Sequence, residues 1–187
     1  MIAGALLARM MQQSAVPLAS GTWLPQARPL EAFQLTDLDG EPFTTARLTG
    51  HPTLLFFGFT HCPDVCPTTL AALAQVQKAG PLPRSQVVFV SIDPDRDSAA
   101  LLKAYLDAFD PQFIGVRGPT AALAPLLRSL SAIAVRQDLP GGDYTMDHSA
   151  TLYLLDTRAR LVAVFSPPFT VAALSADLRR VGSAAAL

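Results

Sequence analysis

The chain has 187 residues, half of them hydrophobic, and 14 lysines and arginines nearly balance 15 aspartates and glutamates. A chain of this size and hydropathy can bury a full core as one domain without disulfide support. The balanced charge and the lack of a basic run interleaved with aromatics argue against nucleic acid as a partner.

The first 29 residues differ in composition from the rest, since they contain no acidic residue. Their opening run, MIAGALLARMM, is about half as long as the roughly 20 residues of a membrane-spanning helix. It also lacks the basic start and small-residue cleavage pattern of a signal peptide. We expect residues 1–29 to form an N-terminal arm and linker, whose start is either a frayed arm or the remnant of a membrane anchor.

From Leu30 onward the pattern predicts one domain, residues 30–187. The segment AFQLTDLDGEPFTT alternates apolar and polar residues around an Asp39–Gly40 turn, which predicts a β-hairpin. Continuous apolar runs predict buried strands, and helical periodicity predicts helices. The strands are expected at residues 53–59, 86–92, 113–116, 150–156 and 161–165, and the helices at residues 67–80, 97–109, 120–130 and 170–181.

A strand, a cysteine-containing loop and a helix, followed later by an antiparallel hairpin and a helix, is the layout of the thioredoxin-like fold. The predicted class is therefore α/β, with a central mixed sheet flanked by helices and an additional N-terminal β-hairpin. The two cysteines of the chain fall where the first core strand leads into its helix. Two cysteines are too few for a disulfide scaffold, so this pair is either incidental core or chemistry.

Both cysteines lie in GFTHCPDVCPTTL, and each is followed by a proline. Proline disfavours the α conformation for the preceding residue, so Cys62 and Cys66 are expected in a loop, with the helix starting at Pro67. Cys66 would then lie at the helix cap, where N–H groups and the helix dipole lower a thiol pKa. Such thiols would suit either nucleophilic attack or metal ligation.

The three-residue spacer between the cysteines accommodates metal chelation more easily than the two-residue spacer of ordinary thioredoxin-like oxidoreductases, without forbidding a disulfide. His148, just before a predicted strand, is the candidate third ligand, because the loop entering that strand lies against the cysteine loop in this fold. His51 is expected in a solvated turn, and His61 is expected to point away from its neighbour Cys62.

Two thiolates and one imidazole suit copper, because soft sulfur ligands select Cu(I) and the nitrogen helps to retain Cu(II). Structural zinc usually requires a fourth protein ligand, which the sequence does not offer, although catalytic zinc accepts water. A peroxidase and a purely structural cysteine pair are the weaker alternatives.

Three segments, FGFTHCPDVCPTTL, VSIDPDRD and YTMDHSATLYLLD, together resemble the Sco/SenC family of thioredoxin-like copper proteins, over roughly residues 25–182. The resemblance implies that Cys62, Cys66 and His148 bind one copper ion. It also implies a copper metallochaperone that delivers copper to the CuA site during cytochrome c oxidase assembly. The alternative is a thiol-disulfide oxidoreductase that reduces the CuA cysteines, with Cys62 and Cys66 as the catalytic pair.

The same resemblance implies partners and a location. The partners would be the oxidase subunit that carries the CuA site, other copper chaperones and thioredoxin-like reductants. Members of the family are normally anchored by an N-terminal membrane helix on the periplasmic side of the inner membrane or in the intermembrane space.

Four acidic residues near these motifs have predicted roles of their own. We expect Asp93 to form a turn and either Asp97 or Ser98 to cap the following helix, unless this segment docks a partner or shapes the copper loop. Asp64 could repel charge on the cysteines or accept backbone N–H bonds, and Asp147 could orient the His148 ring.

Overall fold

The computed structural model describes residues 16–183. Its strands are β1 (Gly21–Pro29), β2 (Gln34–Asp37), β3 (Pro42–Thr44), β4 (Thr53–Gly58), β5 (Gln86–Ser91), β6 (Ile114–Arg117), β7 (Ala134–Asp138), β8 (Tyr144–His148), β9 (Leu152–Leu155) and β10 (Arg160–Phe165). Its α-helices are α1 (Val65–Ala79), α2 (Ala99–Asp107), α3 (Thr120–Leu130) and α4 (Val171–Ser183), and one 3-10 turn covers Thr45–Leu48.

Eight strands form one mixed sheet in the order β1-β10-β9-β4-β5-β6-β2-β3. β4, β5 and β6 run parallel, whereas β9 pairs with β4 antiparallel. β7 and β8 form a separate antiparallel pair, which we call the ribbon (residues 134–148). The predicted α/β class, with a mixed central sheet flanked by helices and a hairpin at the Asp39–Gly40 turn, is confirmed.

The central strands are buried on both faces because helices cover each side of the sheet. Along β4, Leu54 and Phe56 face one half of the core, and Leu55 and Phe57 face the other, as the two-residue period of a strand requires. Apolar residues of α1, α2 and α4 pack on the first face, and those of α3 pack on the second. This rigid two-sided sheet carries the cysteine loop at the end of β4.

Residues 1–29 were predicted to be an arm and linker, and Gly21–Pro29 of that segment pairs with β10 as the edge strand β1. Trp23 of this strand is buried in the core. The opening run, interpreted as a frayed arm or anchor remnant, lies outside the described residues. None of the helices described in residues 16–183 has the length and apolar character to cross a membrane.

Asp177 of α4 ties the segment before β1 to the body of the protein. Its buried carboxylate accepts hydrogen bonds from the backbone N–H groups of Ala19 and Ser20, at 2.9 and 2.7 Å. It also forms an ion pair with Arg180 at 3.0 Å. Burial raises the pKa of Asp177, but these bonds outweigh it and hold the pKa below its ordinary value. The carboxylate therefore stabilises the fold in its charged form.

Replacing Asp177 by asparagine is expected to lower the free energy of unfolding by about 2–3 kcal/mol, because a charged acceptor of two backbone donors is lost. Since the folded pKa is depressed, this contribution is present above the unfolded carboxyl pKa of about 3.9 and is lost as the pH falls through the lower folded value. Urea unfolding at neutral pH measures the effect. Asp107→Asn, which breaks only the exposed pair with Lys103, is the control and should change stability little; equal effects would contradict the anchoring role.

Candidate metal centre

The cysteine loop connects the end of β4 to the first turn of α1. The helix begins at Val65, with Asp64 at the cap position, so Cys66 lies in the first helical turn and only Cys62 lies in the loop. The prediction of both cysteines in a loop and Cys66 at the cap is therefore wrong. Pro67 is tolerated at the third helical position because its missing N–H would have no partner within the helix there.

The two thiols differ in exposure. Cys66 is fully buried, whereas Cys62 is half-buried. Burial raises the pKa of the Cys66 thiol, so the predicted lowering of this pKa is also wrong. The helix N-terminus instead faces the other sulfur, since the backbone N–H of Cys66 donates to Cys62 Sγ at 3.4 Å.

His148 is the last residue of β8, and its ring faces the cysteines. Its Nδ1 lies 3.1 Å from the Ser149 carbonyl oxygen, which can only accept a hydrogen bond, so Nδ1 carries the proton and Nε2 keeps a free lone pair. The rings of Phe56 and Phe59 contact the imidazole edge-on, at centroid distances of 6.2 and 5.8 Å. Burial lowers the pKa of His148, which favours the neutral, ligating form.

The structure brings the three predicted ligands together. Cys66 Sγ lies 3.6 Å from His148 Nε2, and one ligand atom from each of Cys62, Cys66 and His148 lies within 4.8 Å of the other two. Ligands at about 2.0–2.3 Å from a trigonal ion are separated by about 3.5–4 Å. The cluster can therefore close on one metal ion with only a small adjustment of its side chains.

The other two histidines lie outside this cluster. His51 is exposed, with Nδ1 3.3 Å from the Arg84 carbonyl oxygen. His61 is exposed as well, and its Nδ1 lies 3.1 Å from the Thr60 hydroxyl.

Gly58, the last residue of β4, leaves the space that Cys66 Sγ occupies. A Cβ at this position would lie 2.8 Å from Cys66 Sγ and 2.7 Å from the Phe89 ring. Both neighbours are fully buried, so neither can move away cheaply.

Gly58→Ala is therefore expected to lower the free energy of unfolding by about 1–3 kcal/mol by overpacking the core. It should also weaken Cu(I) binding, because Cys66 Sγ must leave its place. Chemical unfolding and titration against a Cu(I) chelator measure the two effects. Gly182→Ala is the control, since its Cβ would meet only the tip of Leu82 at 3.1 Å; unchanged Cu(I) affinity in Gly58→Ala would contradict the close fit.

Asp97 holds the start of the cysteine loop by hydrogen bonds to Thr60. It is fully buried, and its carboxylate accepts hydrogen bonds from the Thr60 hydroxyl and the Ser91 hydroxyl, both at 2.6 Å. Of the two predicted caps of α2, Ser98 is confirmed, because its Oγ accepts the Leu101 N–H, and Asp97 is wrong. The carboxylate instead points inward, where it joins the Thr60 hydroxyl of the cysteine loop to the Ser91 hydroxyl at the end of β5.

The loop after β5, which contains Asp93, Arg96 and Asp97, also holds the ribbon. Asp93 accepts a hydrogen bond from the Tyr144 hydroxyl at 2.8 Å and forms an ion pair with Arg96 at 2.6 Å. Arg96 donates to the Tyr144 carbonyl at 2.9 Å and stacks 3.7 Å from the Tyr144 ring. Asp93 thus does more than form a turn: the loop after β5 fixes both the element that carries the cysteines and the element that carries His148.

Tyr144, Arg96 and Thr60 are site residues that the sequence analysis missed. One signal was available for Tyr144, since Tyr144, Met146 and His148 alternate along β8 and therefore share a face of the ribbon. Asp147 points to the other face and is exposed; the Ser149 carbonyl holds the His148 ring instead. Asp64 is exposed, with the Thr68 hydroxyl 3.4 Å away.

Tyr144→Phe is expected to cost about 1–2 kcal/mol of stability, because it leaves one oxygen of buried Asp93 without its donor. Amide hydrogen exchange within the ribbon should become faster, as the bond joins the ribbon to the body. Tyr105→Phe is the matched control, since the buried Tyr105 hydroxyl has no partner among the described residues. Equal exchange rates in the two variants would contradict the clamping role.

Comparison with known proteins places this site in a family. The SCO1/SenC family model matches residues 24–183. The mitochondrial SCO2 homolog of Mus musculus is 40% identical over 132 residues, which cover 66% of this chain and 51% of that protein. A SCO2-like protein of Rickettsia typhi is 35% identical over 141 residues, which cover 72% of this chain and 68% of that protein.

A solved structure shows the same architecture. ScoI of Bradyrhizobium japonicum, with copper bound, is 42% identical with a TM-score of 0.73, covering 81% of this chain and 98% of that one. The family model covers nearly the whole described part of the chain and includes both cysteines and His148. The chain belongs to the SCO1/SenC family.

Proposed function

We propose that the protein is a copper metallochaperone that binds one copper ion through Cys62, Cys66 and His148 and delivers it to the CuA site of cytochrome c oxidase. The observation that carries the proposal is the cluster of two sulfurs and one imidazole nitrogen within 4.8 Å of one another. The described residues offer no carboxylate to this cluster. A set of soft ligands without oxygen favours copper over harder cations.

Delivery requires that the ion can leave, and the exposure of the ligands supports this. Cys62, Asp64 and His148 line an open cavity of about 350 Å³ at the protein surface. An incoming thiolate can reach the ion from this side, while Cys66 stays buried behind it. We infer that ligand exchange begins at Cys62, and that Cys66 and His148 release the ion last.

Membership of the SCO1/SenC family supports the CuA site as the proposed destination of the copper. The Sco family is one of cytochrome c oxidase assembly proteins. We infer that the acceptor is the oxidase subunit that carries the CuA site and that other copper chaperones load the site. We also infer that the protein acts on the periplasmic side of the inner membrane, held there by an N-terminal anchor.

Thiol-disulfide exchange is the second candidate, because half-buried Cys62 borders the cavity and Cys66 lies behind it. The Cys62 thiolate would attack a partner disulfide, forming a mixed disulfide and releasing one partner thiolate. The Cys66 thiolate would then attack Cys62 Sγ and release the second. The partner gains two electrons, and Cys62 and Cys66 become a disulfide.

One experiment separates the two candidates. The reduced, Cu(I)-loaded protein is mixed with the copper-free soluble domain of the CuA subunit, and the copper content and free thiols of each protein are measured after separation. A metallochaperone transfers copper to the reduced acceptor domain. Reduction of an oxidised acceptor domain without transfer of copper would instead establish the oxidoreductase and contradict the proposal.

A further inference from the structure

Large apolar side chains are exposed on the ribbon that carries His148. Among the described residues, those with the greatest exposure are Ile133, Val135, Leu139 and Leu101, at 59%, 49%, 44% and 42%. Three of these four lie on or beside β7, and only Leu101 lies elsewhere, on α2. We call Ile133, Val135 and Leu139 the ribbon stripe.

The ribbon stripe lies on one face, away from the body of the protein. Val135 is in β7, and Ile133 and Leu139 flank it, with backbone hydrogen bonds to Ser149 and Asp143 that continue the pairing of the ribbon. Because even numbers of residues separate the three positions, we expect their side chains on one face. Val135 pairs across the ribbon with exposed Asp147, whereas Ala134 pairs with His148 on the inner face. The ribbon therefore presents His148 inward to the cysteines and an apolar stripe outward to solvent.

The stripe is continuous with the mouth of the copper cavity. Thr145 and Asp147 line that cavity and lie directly across the ribbon from Gln137 and Val135. A protein that covers the cavity mouth therefore also reaches the stripe. An apolar patch beside a functional opening is a typical interaction surface.

The mouth of the cavity is acidic. Asp64 and Asp147 both line it, both are exposed, and neither forms an ion pair within residues 16–183. The two carboxylates of the ribbon turn, Asp138 and Asp143, are each paired with an arginine. The uncompensated charge next to the stripe is therefore negative, and a partner with lysine or arginine at the matching positions would be attracted.

We propose that the ribbon stripe, together with the acidic mouth of the cavity, is the docking surface for the copper acceptor, a protein domain with an apolar contact surface rimmed by basic side chains. This inference rests on the proposed function. Copper that moves by ligand exchange requires an acceptor ligand within about 2.3 Å of the ion, so the acceptor must cover the cavity mouth. The stripe then supplies contact area that the small mouth lacks.

The test uses the full chain and the soluble domain of the CuA subunit. Binding of that domain to the Cu(I)-loaded protein is measured by titration calorimetry, and copper transfer is measured separately. The double variant Ile133→Ser/Val135→Ser should weaken binding about 10-fold, from the loss of two apolar contacts. Its Cu(I) affinity should equal that of wild type, which also shows that it folds.

Leu101→Ser is the matched control, because it removes an apolar side chain of similar exposure outside the ribbon, and it should bind the domain like wild type. Raising the salt concentration should weaken wild-type binding, since it screens the attraction between the acidic cavity mouth and the basic side chains of the partner.

Equal binding by the double variant and wild type would overturn the proposal. So would a wild-type dimer that dissociates in the double variant, because the stripe would then be covered by a second copy. Binding without any copper transfer would contradict the chaperone function and leave the docking surface standing.

Discussion

His148→Ala is expected to lower the Cu(I) affinity of the reduced protein by at least about 100-fold. Loss of residues that merely orient a metal ligand costs about 10–100-fold, and loss of the ligand itself costs at least as much. The remaining ligands, Cys62 and Cys66, would form a two-sulfur site. Competition with a Cu(I) chelator of known affinity, under strictly reducing conditions, measures the loss.

The fold of this variant should stay intact, because His148 is at the end of the ribbon and only partly buried. His51→Ala is the matched control: it removes an exposed imidazole outside the cluster and should leave copper affinity unchanged. If His148→Ala retained wild-type affinity, the imidazole would not be a copper ligand.

Replacing either cysteine by serine is expected to abolish tight Cu(I) binding, because a hydroxyl is a poor ligand for a soft ion. The two variants should differ in stability, however. Cys66 is fully buried against the core, so a serine hydroxyl there loses its hydration, and we expect a cost of about 1–3 kcal/mol. Cys62 is only half-buried, and its replacement should change stability by less than about 1 kcal/mol.

Copper titration together with urea unfolding of Cys62→Ser and Cys66→Ser measures both quantities. Equal stability of the two variants would contradict the unequal burial of the thiols. Tight copper binding by either variant would contradict a site that uses both sulfurs.

The cluster of Cys62, Cys66 and His148 was predictable from the sequence because fold layout and motif spacing both pointed to it. The start of α1 was not, since the conformational bias before Pro67 only disfavours a helical residue there, and α1 begins two residues earlier, at Val65. Because the prediction placed Cys66 in the loop, it also missed that the Cys66 side chain is buried. The Cys66 side chain packs in the space left by Gly58, beside the Phe89 ring. Phe89 is distant in sequence, and no local pattern marks Gly58 as the residue that leaves this space.

Strands β1, β7 and β8 were missed in the sequence because none of them forms a continuous apolar run. β1 contains Pro25 and Pro29 and has a register irregularity between Trp23 and Arg28, which only an edge strand tolerates. The ribbon strands are short, and β7 is mostly exposed, so neither forms an apolar run. Their pairing with the loop after β5 depends on Tyr144 and Asp93, 51 residues apart, and no local pattern encodes such a contact.

X-ray absorption at the copper edge of the reduced, Cu(I)-loaded protein tests the central claim most directly. The account predicts two sulfur ligands at about 2.3 Å and one imidazole nitrogen at about 2.0 Å. The nitrogen signal should disappear in His148→Ala, while His51→Ala should match wild type. A wild-type spectrum with two sulfurs alone, or one that His148→Ala leaves unchanged, would contradict the three-ligand copper site.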